Sequence, residues 1–166
     1  GIKIEEPRVE GKNILICLQR NHGWSMGSLS VVDWLDTTIA KITQYTDRPI
    51  VIRAHPGDKK AITSYIPVLI QKYQHNNKIK ISALGTPLEQ DLRKAWAVVN
   101  HNSSSIVGPI IKGYHAYITD NETSQCASVA HHGFADIENP KVFDRQTWLE
   151  RISMFHWKFS ELEDGT

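Results

Sequence analysis

Asn13-Ile-Leu-Ile-Cys-Leu18 decides the fold. Its apolar residues are consecutive, not alternate, so both faces of the strand they form must be covered, as for a central strand of a parallel sheet. Outward from it, short β-branched runs alternate with segments of helical period. Pro49-Ile-Val-Ile-Arg53 reads as a second strand, Lys78-Ile-Lys-Ile-Ser82 as a third nearer an edge, Ala95 to His101 as a fourth and His115 to Thr119 as a fifth. Between them, Val31, Leu35, Ile39 and Ile42 form the apolar stripe of a helix packed on a sheet. Ile62, Ile66, Leu69 and Tyr73 repeat that spacing, with Pro67 expected to kink or break it. Thr86-Pro87-Leu88-Glu89 reads as a reciprocal cap for a helix through Lys94. Asn102 is placed to cap a helix starting at Ser103, Ser104 and Ser105 and stopping at Gly113. A last helix, capped by Asp144, carries Trp148, Ile152, Phe155 and Phe159 on one face. This order predicts an α/β fold, a Rossmann-like doubly wound, mostly parallel sheet of about five strands with helices on both faces.

The 166 residues carry 19 basic and 18 acidic side chains and 40% hydrophobic residues. One domain is expected, with residues 1–12 as a linker, 13–143 as its core and 144–166 as a C-terminal helix. At this length a proper core forms without metal or disulfide staples. The polar approach from Gly1 to Asn13, with no initiator Met, leads us to expect a piece cut from a two-domain protein. A net charge of +1 argues against a general polyanion binder, so nucleic acid is expected only as a modified-base acceptor. Cys17 and Cys126 have no paired spacing, which indicates neither zinc nor a disulfide and fits a reducing cytoplasm. No apolar stretch approaches 18 residues, so no membrane span and no signal peptide are expected.

In a doubly wound sheet, ligands bind at the carboxyl ends of the strands near the topological switch point. Those ends are polar here: Gln19, Arg20, Asn21 and His22 after the first strand, Arg53 and His55 after the second, Asn100, His101, Asn102 and the serines after the fourth, and Thr119, Asp120, Asn121 and Glu122 after the fifth. A helix opening at the serines would aim free N–H groups and hydroxyls at the cleft, which is how a phosphate is held. Arg53 and His55, expected on a neighbouring strand, would complete that cradle by charge-assisted bonds. The competing structural reading is that Asn102 and Ser103 merely cap a helix. Adjacent His131 and His132 seldom converge on one ion, so no metal is expected. Neither GxGxxG nor GxxxxGK[ST] occurs, which argues against a dinucleotide fingerprint and a P-loop.

Leu84-Gly-Thr-Pro-Leu-Glu-Gln-Asp-Leu-Arg-Lys-Ala-Trp-Ala-Val-Val-Asn-His-Asn-Ser-Ser105, followed by Gly113-Tyr-His-Ala-Tyr-Ile-Thr-Asp120, resembles the carboxyl-terminal, donor-binding half of GT-B glycosyltransferases of the capsule-polysaccharide and bacteriophage type. His55-Pro56 with the serines resembles the arrangement in bacterial sialyltransferases, capsular Kdo transferases and polyglycerol-phosphate transferases. The stretch Ile137-Glu-Asn-Pro140, Asp144-Arg145, Trp148, Trp157 and Glu161 to Gly165 resembles the tail of the capsule and phage group.

The resemblance implies a glycosyltransferase whose donor is a CMP-, UDP- or CDP-linked sugar and whose acceptor is a glycan or another hydroxyl compound. It implies His55 and Ser103, Ser104 and Ser105 on the donor phosphate, Leu84, Gly85 and Pro87 near the nucleobase, and Glu138 as a weaker candidate for the ribose; from their own positions, His55 and Arg53 are expected in catalysis and Asn102 and Arg20 on the donor phosphate. No cofactor or metal is implied, and the location is cytoplasmic, the host's cytoplasm for a phage-encoded chain. The E-x₇-E pair of retaining enzymes and an amino-terminal half are both missing from the sequence. The alternatives are a nucleotide-sugar epimerase of the same fold and a non-catalytic nucleotide- or phosphoglycan-binding module.

Overall fold

The computed structural model describes residues 4–19, 30–55, 65–122 and 124–153, the side chains of Ser104 and Ser153 excepted. Their order is β1 (Asn13–Cys17), α1 (Val31–Ile42), β2 (Ile50–Arg53), α2 (Ile66–Tyr73), β3 (Ile79–Ile81), α3 (Leu88–Leu92), β4 (Ala95–Asn100), α4 (Val107–Ile111), β5 (His115–Ile118) and α5 (Arg145–Ser153). The strands form one sheet in the order β3-β2-β1-β4-β5, and every pairing is parallel. The expected Rossmann-like, doubly wound architecture is therefore present. The chain winds outward from β1 to β3, then returns to β1's other side as β4. The switch point lies between β1 and β4.

β1 sits at the centre because its side chains are apolar on both faces. Ile14 and Ile16 pack with Ile50, Ile52, Ala97 and Val99 under α1 and α2, through Val31, Leu35, Ile39, Ile42 and Leu69. Leu15 and Cys17 pack with Val98, Ala116 and Ile118 under α3, α4 and α5, through Leu92, Val107, Ile110 and Trp148. Burying each of these aliphatic side chains contributes roughly 1.5–3 kcal/mol.

Helix starts and stops follow local chemistry, with some corrections to the expectations. Ser30 caps α1, its hydroxyl oxygen accepting from Asp33 N–H at 3.1 Å. Pro67 stands in the first turn of α2, where its missing N–H costs nothing, so the helix begins at the proline within the expected stripe; Ile62 lies outside the described residues. Thr86 does not cap α3, because its hydroxyl donates to the Ala83 carbonyl at 2.6 Å and Pro87 takes the cap position. The helix after β4 does not open at the serines: Ser104–Ile106 is a 3-10 turn and α4 begins at Val107. Gly113 ends that helix as expected, at φ +92°, where a Cβ would collide with the Glu6 carbonyl oxygen. Asp144 caps α5 as expected, accepting from Thr147 N–H at 3.3 Å. Phe155, Trp157 and Phe159 lie outside the described residues.

Residues 4–12, expected as a linker, are docked on the domain. Glu5 N–H donates to the Ile111 carbonyl and Arg8 N–H to that of Gly113, both at 2.9 Å. Arg145 ties the arm down from α5 by donating to the Glu5 carbonyl at 2.6 Å. Among the described residues, no helix is long and apolar enough to cross a membrane.

Candidate functional site

The carboxyl ends of β1, β4 and β5 meet beside the switch point. Gln19, just past β1, is 4% exposed, and its Oε1 accepts two successive backbone N–H groups, Asn102 at 2.7 Å and Ser103 at 3.1 Å. Its Nε2 donates to Asn102 Oδ1 at 3.0 Å. The turn after β4 thus bends two peptide N–H groups onto a single oxygen, the geometry with which a backbone turn holds an oxyanion. Asn100, fully buried at the end of β4, braces that turn from below, donating to the Ser103 carbonyl at 2.9 Å and to Ser105 Oγ at 3.3 Å. Ser103 Oγ accepts from Ser105 N–H at 3.2 Å, which closes the turn on itself.

A second polar group adjoins it. Asn102 Nδ2 donates to Asp120 Oδ2 at 2.9 Å, joining the turn to the end of β5. Thr119 Oγ1 accepts from Trp34 Nε1–H of α1 at 2.8 Å and lies 2.7 Å from His101 Nδ1. His101 Nε2 faces Asp120 Oδ2 at 3.9 Å. Burial lowers the His101 pKa and outweighs the opposing pull of Asp120, so the imidazole is neutral at pH 7.

The expected site residues divide between the two ends of the sheet. Asn102, Ser103 and Ser105 stand at the switch point, but Asn102 bonds Gln19 and Asp120 and does not cap a helix. Arg53 does not adjoin the serine turn. The order β2-β1-β4 puts β1 between them, about 10 Å of sheet. Arg53 Nη1 pairs with Asp91 at 2.9 Å and also donates to the Thr86 carbonyl, on the β3 side. His55 is half-buried two residues past β2. Leu84, Gly85 and Pro87 are exposed in the turn after β3, with Gly85 at φ +89°.

Glu138 is the clearest correction. It binds Arg48 Nε at 2.6 Å and accepts from Thr46 Oγ1 at 3.2 Å. Arg48 in turn donates to the Gly11 carbonyl and stacks on Trp96. All of these precede or open strands, so Glu138 sits at the amino end of the sheet, opposite the switch point. Arg20 lies outside the described residues, as does the Ser104 side chain.

Other reactive groups are committed to structure. His131 bonds Asp136 at 2.9 Å and stacks on Tyr117, whereas His132 Nε2 lies 2.9 Å from the Ala127 carbonyl, so the two rings serve different partners. No group of three potential metal ligands occurs among the described residues. Burial pushes the thiols of Cys17 and Cys126 each up to about 12, which removes them as thiolate nucleophiles.

The sequence places Gln19, His101, Thr119 and Asp120 at strand ends, but it assigns them no role. The usable signal was their common position after β1, β4 and β5, which converge only once the strand order is known. No protein-family model matches the chain, and no curated protein matches it.

Proposed function

We propose that this chain binds a phosphate-bearing ligand at its switch point and serves as the donor-binding domain of a glycosyltransferase. The observation that supports the binding site is the convergence of the Asn102 and Ser103 N–H groups on one oxygen. In the structure that oxygen is the Gln19 amide's, and in this reading a phosphate oxygen takes the same place. A hydrogen bond to a charged acceptor contributes about 1.5–3 kcal/mol against about 0.5–1.5 for a neutral one, which offsets the cost of breaking the Gln19 bonds. The identity of the ligand as a CMP-, UDP- or CDP-linked sugar rests on the resemblance.

In this reading an acceptor hydroxyl displaces the nucleoside phosphate from the sugar. The bond from the anomeric carbon to the phosphate oxygen breaks, with its electron pair leaving on the phosphate, the bond to the acceptor oxygen forms, and the acceptor's hydroxyl proton passes to a base on the second domain. Negative charge grows on the departing phosphate, where two fixed N–H groups stabilise it without reorganising. His55 lies past β2 at the same end of the sheet, with β1 between that strand and the serine turn, and its assignment to the donor phosphate with the serines rests on the resemblance. Fixed donors take the part that a metal plays in other transferases, and a second domain supplies the acceptor.

Thermal-shift and calorimetric titration of the chain with CMP, UDP, CDP and GDP tests the reading. Binding of one nucleotide that weakens on Ser103→Pro, which deletes one of the two N–H groups, supports it. Absence of binding by all four nucleotides removes it.

A further inference from the structure

Beside the two N–H groups stands a pair of side chains that the phosphate does not use. His101 Nε2 and Asp120 Oδ2 are 3.9 Å apart, too far for a direct bond and close enough for one oxygen atom to bond to both. Both side chains are largely buried, at 15% and 21% exposure, yet they reach the surface at the carboxyl end of the sheet.

The protonation pattern follows from their neighbours. Trp34 Nε1–H can only donate, so it occupies one lone pair of Thr119 Oγ1. The Thr119 proton is then available to donate to His101 Nδ1, 2.7 Å away, and the Asp120 carboxylate beside Nε2 favours that arrangement. That leaves the imidazole proton on Nε2, directed at the Asp120 carboxylate, which attracts an N–H and would repel a lone pair. Asp120 is held in place by Asn102 Nδ2 on Oδ2 and by Glu122 N–H, at 3.0 Å, on Oδ1. Among the described residues, Asp120 is the only charged group with a resolved influence on His101.

A donor and an acceptor set this far apart match a hydroxyl group, which accepts from one and donates to the other. Water satisfies the pair equally well, but a water is not tied to the neighbouring anion site. Asn102 links the two features covalently and by hydrogen bond, its N–H serving the anion and its Nδ2 holding the carboxylate. We propose that His101 and Asp120 clamp a hydroxyl of the ligand next to its phosphate, so that the site selects a phosphate ester of a sugar over phosphate alone. This rests on the anion site of the preceding section and specifies what must be attached to the anion.

The test titrates the whole chain with inorganic phosphate and with ribose 5-phosphate, in the wild type and in His101→Phe and Asp120→Ala. The affinity ratio between the two probes is the readout, because it cancels the effect of a removed charge on the anion itself. The wild type is expected to favour the sugar phosphate by about tenfold, a difference of about 1.4 kcal/mol. Each variant is expected to bring the ratio close to one. Failure of both probes to bind the wild type removes the anion site itself. Phosphate binding with an equal affinity for ribose 5-phosphate, or a ratio unchanged in both variants, overturns the clamp and leaves the anion site standing. Nitrogen NMR of the unliganded wild type provides a check that requires no variant: protonated Nε2 is expected on His101, and protonated Nδ1 overturns the clamp.

Discussion

Gln19→Ala should make the chain less stable and a better anion binder. Gln19 is almost fully buried and makes three hydrogen bonds to the turn after β4, at 2.7, 3.0 and 3.1 Å. At about 1 kcal/mol each, their loss destabilises the unliganded chain by roughly 3 kcal/mol, more if the two N–H groups are stranded without water. In the wild type a ligand must break those same bonds before it can use the N–H pair. The alanine variant carries no such cost, so its affinity for phosphate should rise, by at most about a hundredfold if all of the 3 kcal/mol is recovered. Urea unfolding measures the first effect and calorimetric titration with phosphate the second. Lower stability accompanied by weaker phosphate binding would refute the reasoning, since Gln19 would then be part of the site and not the group its ligand displaces.

Other expectations follow from the two ends of the sheet. Asp91→Ala leaves the partly buried Arg53 guanidinium without its carboxylate and strips Ser82 of an acceptor, so it should cost about 3 kcal/mol of stability while leaving phosphate affinity unchanged. Glu138→Ala should lower stability, through the loss of its bonds from Arg48 and Thr46, with no effect on nucleotide binding in the same titration. Burial lowers the pKa of His101, His115 and His131 alike. The unfolded chain therefore binds more protons than the folded one just below the ordinary imidazole value of about 6.5. Stability is fully present above that pH and should fall as the pH drops below it, which urea unfolding at neutral and mildly acidic pH will show; a rise in stability on acidification would contradict the burial of these rings.

The fold was legible because the residues that decide it are decided locally. A run such as Ile14-Leu15-Ile16 has no stable place except between two covered faces, and the stripe Val31, Leu35, Ile39, Ile42 has none except against a sheet. The site was legible only in part, because its geometry depends on partners far apart in the chain. Asn102 has the residue type of a helix cap, yet Gln19, 83 positions away, takes its N–H group and its side-chain oxygen. Arg53 and the serine turn are both strand-end features, but spacing along the chain does not say that β1 lies between them. Glu138 follows β5 in sequence and returns to the opposite end of the sheet, where the Trp96 indole N–H donates to the Ile137 carbonyl at 2.7 Å and anchors the segment. Thr86 reads as a cap until its hydroxyl turns back to Ala83. In each case the local signal was real, and a long-range or turn contact outcompeted it.

The account's central claim is that a phosphate-bearing ligand binds at the switch point through the backbone of the turn after β4. Amide chemical-shift mapping of the chain during titration with CMP, UDP and CDP, in buffer containing EDTA, tests it most directly. The account predicts saturable binding of at least one nucleotide without added metal, with the largest shifts at the Asn102 and Ser103 amides and a matching change in the Gln19 side-chain amide. Binding that vanishes in EDTA and returns with Mg²⁺, or shifts centred on Arg48 and Glu138 at the other end of the sheet, would contradict it.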